Sequence, residues 1–84
     1  MRWMTLAWVE KHVPEAARLG VSKVARSPRG FVTAYRRERT AANMKRTPWA
    51  KKRTAFIARH LAQYRKHPTE RRRLALAMWA YNAM

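Results

Sequence analysis

Apolar residues recur at helical spacing along the chain, and no stretch shows the strict alternation of apolar and polar residues typical of a half-buried strand. The pattern predicts helices over about residues 5–13, 28–39, 48–66 and 69–82. A short turn from Pro14 follows the first helix and stops at Gly20, a candidate C-cap. The chain is therefore predicted to be all-α, a compact bundle of three to four short helices.

Prolines mark the boundaries between the predicted helices. Pro28, Pro48 and Pro68 each stand where a predicted helix begins, and proline is favoured at the first helical position. The segments that follow these prolines do not align residue by residue, so the spacing is not a sequence repeat. Residues 40–46 are expected to form a basic loop.

Two charged residues fall on faces that should be apolar. Arg53 lies within the apolar stripe of the third predicted helix, and Glu38 lies on the stripe of the second. We expect the two to pair across the helix interface. His60, on the same stripe as Arg53, is interpreted as a core histidine and not as a ligand. The last helix is apolar almost all round after Arg73, which predicts a central position in the bundle.

The aromatic residues mostly fall on the faces that are expected to pack, so they are interpreted as core. Trp3 and Trp8 are exceptions, because they lie off the face that carries Leu6, Val9 and Val13. These two side chains are candidates for contact with nucleic-acid bases, a partner protein or another subunit.

Composition points to a polyanionic partner. The 84 residues include 20 Lys and Arg against 4 Asp and Glu, a formal net charge of +16. Repulsion among so many like charges lowers the stability of a compact state. Nucleic acid is the commonest partner that neutralises such a charge. Hydrophobic residues make up 48% of the chain, which fits one folded domain over residues 1–84 and not a disordered tail.

The predicted helix starts carry cations, although cations there oppose the helix dipole. Backbone N–H groups and cationic side chains at such a start can bind the same phosphate oxygens. We predict nucleic-acid contacts from the basic residues of these starts and of the neighbouring segments: Arg29, Arg36, Arg37, Lys45, Arg46, Lys51, Lys52, Arg59, Arg71, Arg72 and Arg73.

Catalysis and cofactors have little support in the sequence. The chain has no cysteine, its three histidines lack metal-ligand spacing, and its four carboxylates are scattered one per segment. We predict no enzyme activity, no metal and no cofactor. The apolar runs are too short to span a membrane, so no membrane partner is predicted.

One motif suggests a helix-turn-helix. The run A-A-R-L-G-V-S, residues 16–22, is similar to the turn of that motif, in which Ser22 would begin a recognition helix. Pro28 would end that helix after about one and a half turns, which is shorter than the usual recognition element. A sequence-specific regulator is accordingly kept as an alternative.

Three runs of the chain form a distinctive combination: V-A-R-S-P-R-G-F-V-T-A-Y (24–35), W-x3-R-x2-F-I-A-R-H-L-A-Q (49–63) and P-T-E-R-R-R-L-A-L-A-M-W-A-Y (68–81). Together they resemble a small basic domain of unknown function found in bacteriophage and large-virus genomes. The resemblance covers residues 23–81 and leaves residues 1–20 as an N-terminal helical extension. It implies a viral origin and work near a genome or virion, and it carries no functional residues over.

These observations favour a DNA-binding protein that contacts phosphates with little sequence preference, as a phage nucleoid or genome-packaging protein would. The expected location is the host cytoplasm or the virion. The main alternative is a virion structural or interaction protein that binds an acidic protein surface of the virion or the host. DNA is favoured over RNA, although phosphate contacts alone do not separate them. Strand number and oligomeric state stay open.

Overall fold

The computed structural model describes residues 2–83, and this part of the chain contains helices and no strand. The predicted all-α class is confirmed. There are five helices and not three to four, because one additional turn of helix forms between the second and third predicted ones. They are α1 Leu6–Leu19, α2 Phe31–Glu38, α3 Ala41–Met44, α4 Trp49–Lys66 and α5 Glu70–Ala77.

Helix α1 is continuous through Pro14, so the predicted end at residue 13 is wrong. A proline inside a helix costs about 3 kcal/mol, since it removes one hydrogen bond and its ring crowds the preceding turn. Val9 and Ala16, on either side of Pro14, are both fully buried on the same helix face. Their burial accounts for the continuation of the helix. It ends, as predicted, at Gly20, which is left-handed with φ 68°.

Helix α2 begins at Phe31, later than predicted, because the residues before it form successive turns. Ser27 N–H donates to the Val24 carbonyl at 3.1 Å, and Gly30 N–H donates to the Ser27 carbonyl at 2.9 Å. Gly30 then serves as the N-cap. Pro28 therefore belongs to a turn and not to a helix start.

Helix α3 replaces the predicted basic loop. Thr40 caps it by accepting a hydrogen bond from Asn43 N–H at 3.1 Å, and the Asn43 side chain donates to the Glu38 carbonyl at 2.8 Å. Met44 is completely buried and anchors this turn in the core. The sequence signal for this helix is the cap itself, a threonine before two alanines.

Helix α4 agrees with its predicted range to within one residue. Helix α5 stops at Ala77, well before the predicted residue 82, because Ala80 adopts a left-handed conformation with φ 59°. Tyr81 N–H then folds back to the Leu76 carbonyl at 3.0 Å. The predicted central position of α5 is confirmed: it packs against both α1 and α4, and Leu74 is fully buried.

The two ends of the chain meet in the core. Met4 N–H donates to the Ala80 carbonyl at 2.7 Å, and the Tyr35 hydroxyl donates to the Met4 carbonyl at 2.7 Å. Trp3 packs on Phe31, with ring centroids 5.8 Å apart. The prediction that Trp3 lies away from the core is wrong, because residues 2–5 are not helical, so a helical wheel does not apply to them.

Arg53 is buried, as its place in the stripe indicates, but the predicted partner is wrong. Its guanidinium donates to backbone carbonyls, among them those of Trp79 at 2.7 Å, Arg2 at 2.7 Å and Ala80 at 2.9 Å. Glu38 instead contacts Arg37, its neighbour in the chain. Burial lowers the pKa of Arg53 to about 10, so the side chain stays charged at neutral pH.

Candidate nucleic-acid interface

Cations cover the surface of the molecule. Of the 20 basic residues, all are exposed except Arg26 and Arg73, which are half-buried, and Arg53, which is buried. The fold thus leaves almost all of the positive charge at the surface. Folded proteins commonly bury the aliphatic stems of arginine and lysine, but the charged groups then still face water.

The four side-chain carboxylates are each already paired with one arginine. In the longest-range of these pairs, Arg36 on α2 donates two hydrogen bonds to Glu10 on α1, at 2.7 and 2.8 Å. The bonds to Glu10 raise the pKa of Arg36, and a hydrogen bond from Arg18 lowers the pKa of Glu15. The other cations therefore have no side-chain carboxylate left to neutralise them. The pairs are Glu10–Arg36, Glu15–Arg18, Glu38–Arg37 and Glu70–Arg73.

Several predicted contact residues are exposed and have no carboxylate partner among residues 2–83. Lys52 rests over the Trp49 ring, with Nζ 4.7 Å from the ring centroid, an arrangement that holds the lysine without neutralising it. These residues can meet phosphate with their charge intact. They are Arg29, Lys45, Arg46, Lys51, Lys52 and Arg59.

The other predicted contact residues differ in whether a carboxylate or a backbone carbonyl already accepts their hydrogen bonds. Arg36, Arg37 and Arg73 are held by carboxylates, and the Arg73 side chain is only 21% exposed. Arg71 and Arg72 are exposed but donate to backbone carbonyls. A neutral carbonyl leaves the guanidinium its charge, so these two can still bind an anion.

The helix-start hypothesis holds only in part. Arg29 precedes the N-cap of α2 by one residue, and Lys51 and Lys52 lie in the first turn of α4. Arg53, in contrast, turns inward, and Arg73 pairs with Glu70. The predicted cations thus share a position on exposed helix faces more than a position at helix starts.

Other exposed cations, absent from the sequence-based prediction, also have no carboxylate partner among residues 2–83. Their common signal is a position on the polar side of a helix or just beyond its end, a pattern that is also typical of ordinary solvated surface. Arg65 and Lys66 extend the outer face of α4, and Arg39 follows α2 with φ 72°. These additional cations include Lys11, Lys23, Arg39, Arg65 and Lys66.

Trp8 remains outside the core, as predicted, with 53% of its surface exposed. Lys11 Nζ lies 4.9 Å from the centroid of its ring. Trp8 also borders a groove of about 590 Å³, together with Trp3, Arg73 and Tyr81. This groove joins aromatic and cationic side chains beside the meeting point of the chain ends.

The helix-turn-helix motif does not develop into a recognition helix. Ser22 is left-handed with φ 55°, and residues 23–30 form turns and bends. The next helix starts only at Phe31, where its first residues are buried. The base-reading helix that a regulator would need at Ser22 is not formed.

Between residues 2 and 83 no group of three metal-ligating side chains occurs, and no helix is long and apolar enough to cross a membrane. His60 stacks on Phe56, with ring centroids 4.0 Å apart. Burial and the neighbouring Arg59 lower the pKa of His60. The imidazole is a packing group.

No protein-family model, curated protein or solved structure matches this chain. The candidate interface is therefore defined by the charge, exposure and hydrogen bonding of its own side chains.

Proposed function

We propose that the chain binds double-stranded DNA through its phosphates, with low sequence specificity. The observation that carries the proposal is the mismatch of charges at the surface: exposed cations are distributed over every helix but α3, while each side-chain carboxylate is already paired with an arginine. DNA supplies the missing anions at a density of one per about 1.7 Å of helix axis.

Low specificity follows from the type of contact. Phosphate oxygens are the same at every base pair, so contacts to them position a protein without reading sequence. Binding of this kind suits coating or packing a genome. We therefore propose a nucleoid or packaging role, in the host cytoplasm or the virion.

The first test is fluorescence anisotropy with labelled duplex DNA, single-stranded DNA and duplex RNA of one length, each across a salt series. We expect duplex DNA to bind most tightly. A plot of the logarithm of the binding constant against the logarithm of the salt concentration should fall with a slope of about 0.9 for each phosphate that the protein contacts. A slope shallower than about 3 would exclude a broad phosphate footprint. Weak binding to all three near physiological salt would refute the function.

A matched pair of variants separates local binding from net charge. The triple variant Lys51→Gln, Lys52→Gln, Arg59→Gln removes three cations of α4, and Lys11→Gln, Arg18→Gln, Lys23→Gln removes three from α1 and the turn after it. We expect the first to reduce the salt slope by about 0.9 for each phosphate that the variant no longer binds, and the second to reduce it less. Equal reductions would mean that only total charge matters.

A second candidate function is binding to an acidic protein surface of the virion or the host. The groove beside Trp8 favours it, because an exposed tryptophan next to cations is a frequent anchor in protein interfaces. Its sign would be a tight complex with one virion or host protein together with weak DNA binding. The DNA proposal predicts the opposite order of affinities.

A further inference from the structure

The outer face of α4 carries a regular stripe in which long cations alternate with alanine. Lys52, Ala55, Arg59, Ala62 and Lys66 follow one another at intervals of three and four residues, which places them on one side of a helix. All five are exposed. The stripe spans about 21 Å, at 1.5 Å per residue.

The opposite face of α4 holds the helix to the protein. Arg53 and Ile57 are buried there, and α4 packs mainly against α5. Because one face is fixed to the core by this packing, the stripe points away from it. The helix is 18 residues long, the longest of the described helices, and thus presents an outer face about 27 Å long.

The size of the side chains matters as much as their charge. A methyl group at Ala55 and Ala62 lets the backbone of α4 approach a surface more closely than a continuous row of long side chains would. At 100° per residue, Lys52 and Arg59 lie on one side of the two alanines, and Lys51 and Arg65 lie on the other. A rod with a shallow centre and cationic flanks fits a groove with phosphates along both edges.

We propose that α4 lies in the major groove of B-form DNA, with Ala55 and Ala62 facing the floor of the groove. This inference rests on the proposed function and names the groove and the duplex form that it uses. The major groove of B-form DNA is about 12 Å wide and admits a helix, whereas the A-form groove of duplex RNA is too narrow for side chains to read. The flanking cations then meet phosphates on both strands.

The test compares two DNA duplexes with the same sequence and the same phosphates. In one, the cytosines carry glucosylated 5-hydroxymethyl groups, which fill the major groove since the C5 position of a pyrimidine lies there. We expect the modified duplex to bind about tenfold more weakly, because the added sugars would keep α4 away from the groove floor and its flanking cations away from the phosphates. A minor-groove ligand, netropsin, should not compete with the protein.

The outcomes separate the two proposals. Equal binding to both duplexes, with a steep salt dependence, overturns the groove assignment and leaves phosphate binding standing. Displacement by netropsin also overturns it. Failure to bind either duplex removes the proposed function and the groove assignment together.

A variant pair tests the same point from the protein side. Ala55→Leu with Ala62→Leu adds bulk to the stripe without changing charge, and leucine is a good helix former, so the helix should persist. The control, Ala7→Leu with Ala17→Leu, makes the same change at exposed positions of α1. We expect the α4 variant to bind unmodified DNA about tenfold more weakly than the control, because the helix can no longer reach the groove floor. Equal affinity contradicts the proposal.

Discussion

The guanidinium carbon of Arg53 lies 4.1 Å from the centroid of the Trp3 ring, so a helix residue from the middle of the chain stacks on a side chain from its start. The same guanidinium donates to carbonyls of residues 79 and 80, near the chain's other end. One side chain thus joins the N-terminal segment, α4 and the segment after α5. Arginine suits this position because its planar fork can stack and donate several hydrogen bonds at once.

Replacing Arg53 with Met should lower the free energy of unfolding by about 3 kcal/mol, because the carbonyls of Arg2, Trp79 and Ala80 would each lose a hydrogen bond from a charged donor. Urea denaturation followed by circular dichroism measures the change. Arg59→Met on the same helix is the control and should change stability by less than about 0.5 kcal/mol, since its side chain is exposed. Similar decreases in the two variants would contradict a structural role for Arg53.

Trp3 and Trp8 should respond very differently to truncation. Trp3 contacts Phe31 and Arg53, so Trp3→Ala is expected to cost about 3 kcal/mol of stability, as for other packed aromatic residues. Trp8 is 53% exposed, so Trp8→Ala should cost less than about 1 kcal/mol. Thermal and urea unfolding of both variants checks this. A Trp8 variant as unstable as the Trp3 variant would show that the first turn of α1 is packed.

Gly30 should accept no side chain. A Cβ there would lie 2.1 Å from the Val24 carbonyl oxygen and 2.3 Å from that of Ala25, and backbone cannot move aside easily. We expect Gly30→Ala to destabilise by about 3 kcal/mol or more, the upper end of overpacking effects. Gly20→Ala has space but a φ of +68°, so it should cost only about 1–2 kcal/mol. The reverse order in urea denaturation would contradict this steric explanation.

His60 should make the protein less stable in mild acid. Burial, and then the nearby Arg59, lower its pKa from the ordinary 6.5, so the unfolded chain binds a proton more readily than the folded one. This contribution to stability is present above pH 6.5 and is lost as the pH falls below it. The melting temperature should therefore fall between pH 7.5 and 5.5.

Two histidine variants separate this effect from other titrations. His60→Gln should show a smaller fall in melting temperature over the same pH range, because glutamine does not titrate. His67→Gln, at an exposed position, is the control and should keep the full fall. If the two variants behave alike, His60 is not the group responsible.

Local sequence determined the helices whose signals lie close together along the chain. Helix α4 has an apolar stripe over its whole length, and Thr47, Thr69 and Gly20 mark boundaries through caps that involve only nearby residues. The central place of α5 likewise followed from its lack of a polar face. Periodicity also agreed with the exposure of the cations outside the core, because an amphipathic helix turns its charged side to water. Those cations are Arg29, Lys45, Arg46, Lys51, Lys52 and Arg59.

Tertiary contacts decided what local signals could not. Pro14 stays within α1 because Val9 and Ala16 are buried together, and Trp3 enters the core because residues 2–5 are not helical and follow no helical wheel. Arg53 donates to backbone carbonyls distant in sequence and not to Glu38. Net charge and the periodicity of apolar residues can be read from the sequence alone, and they determined an all-α, strongly basic protein. Which arginines are neutralised, and which helix face is left without a partner, depends on packing between segments far apart in sequence.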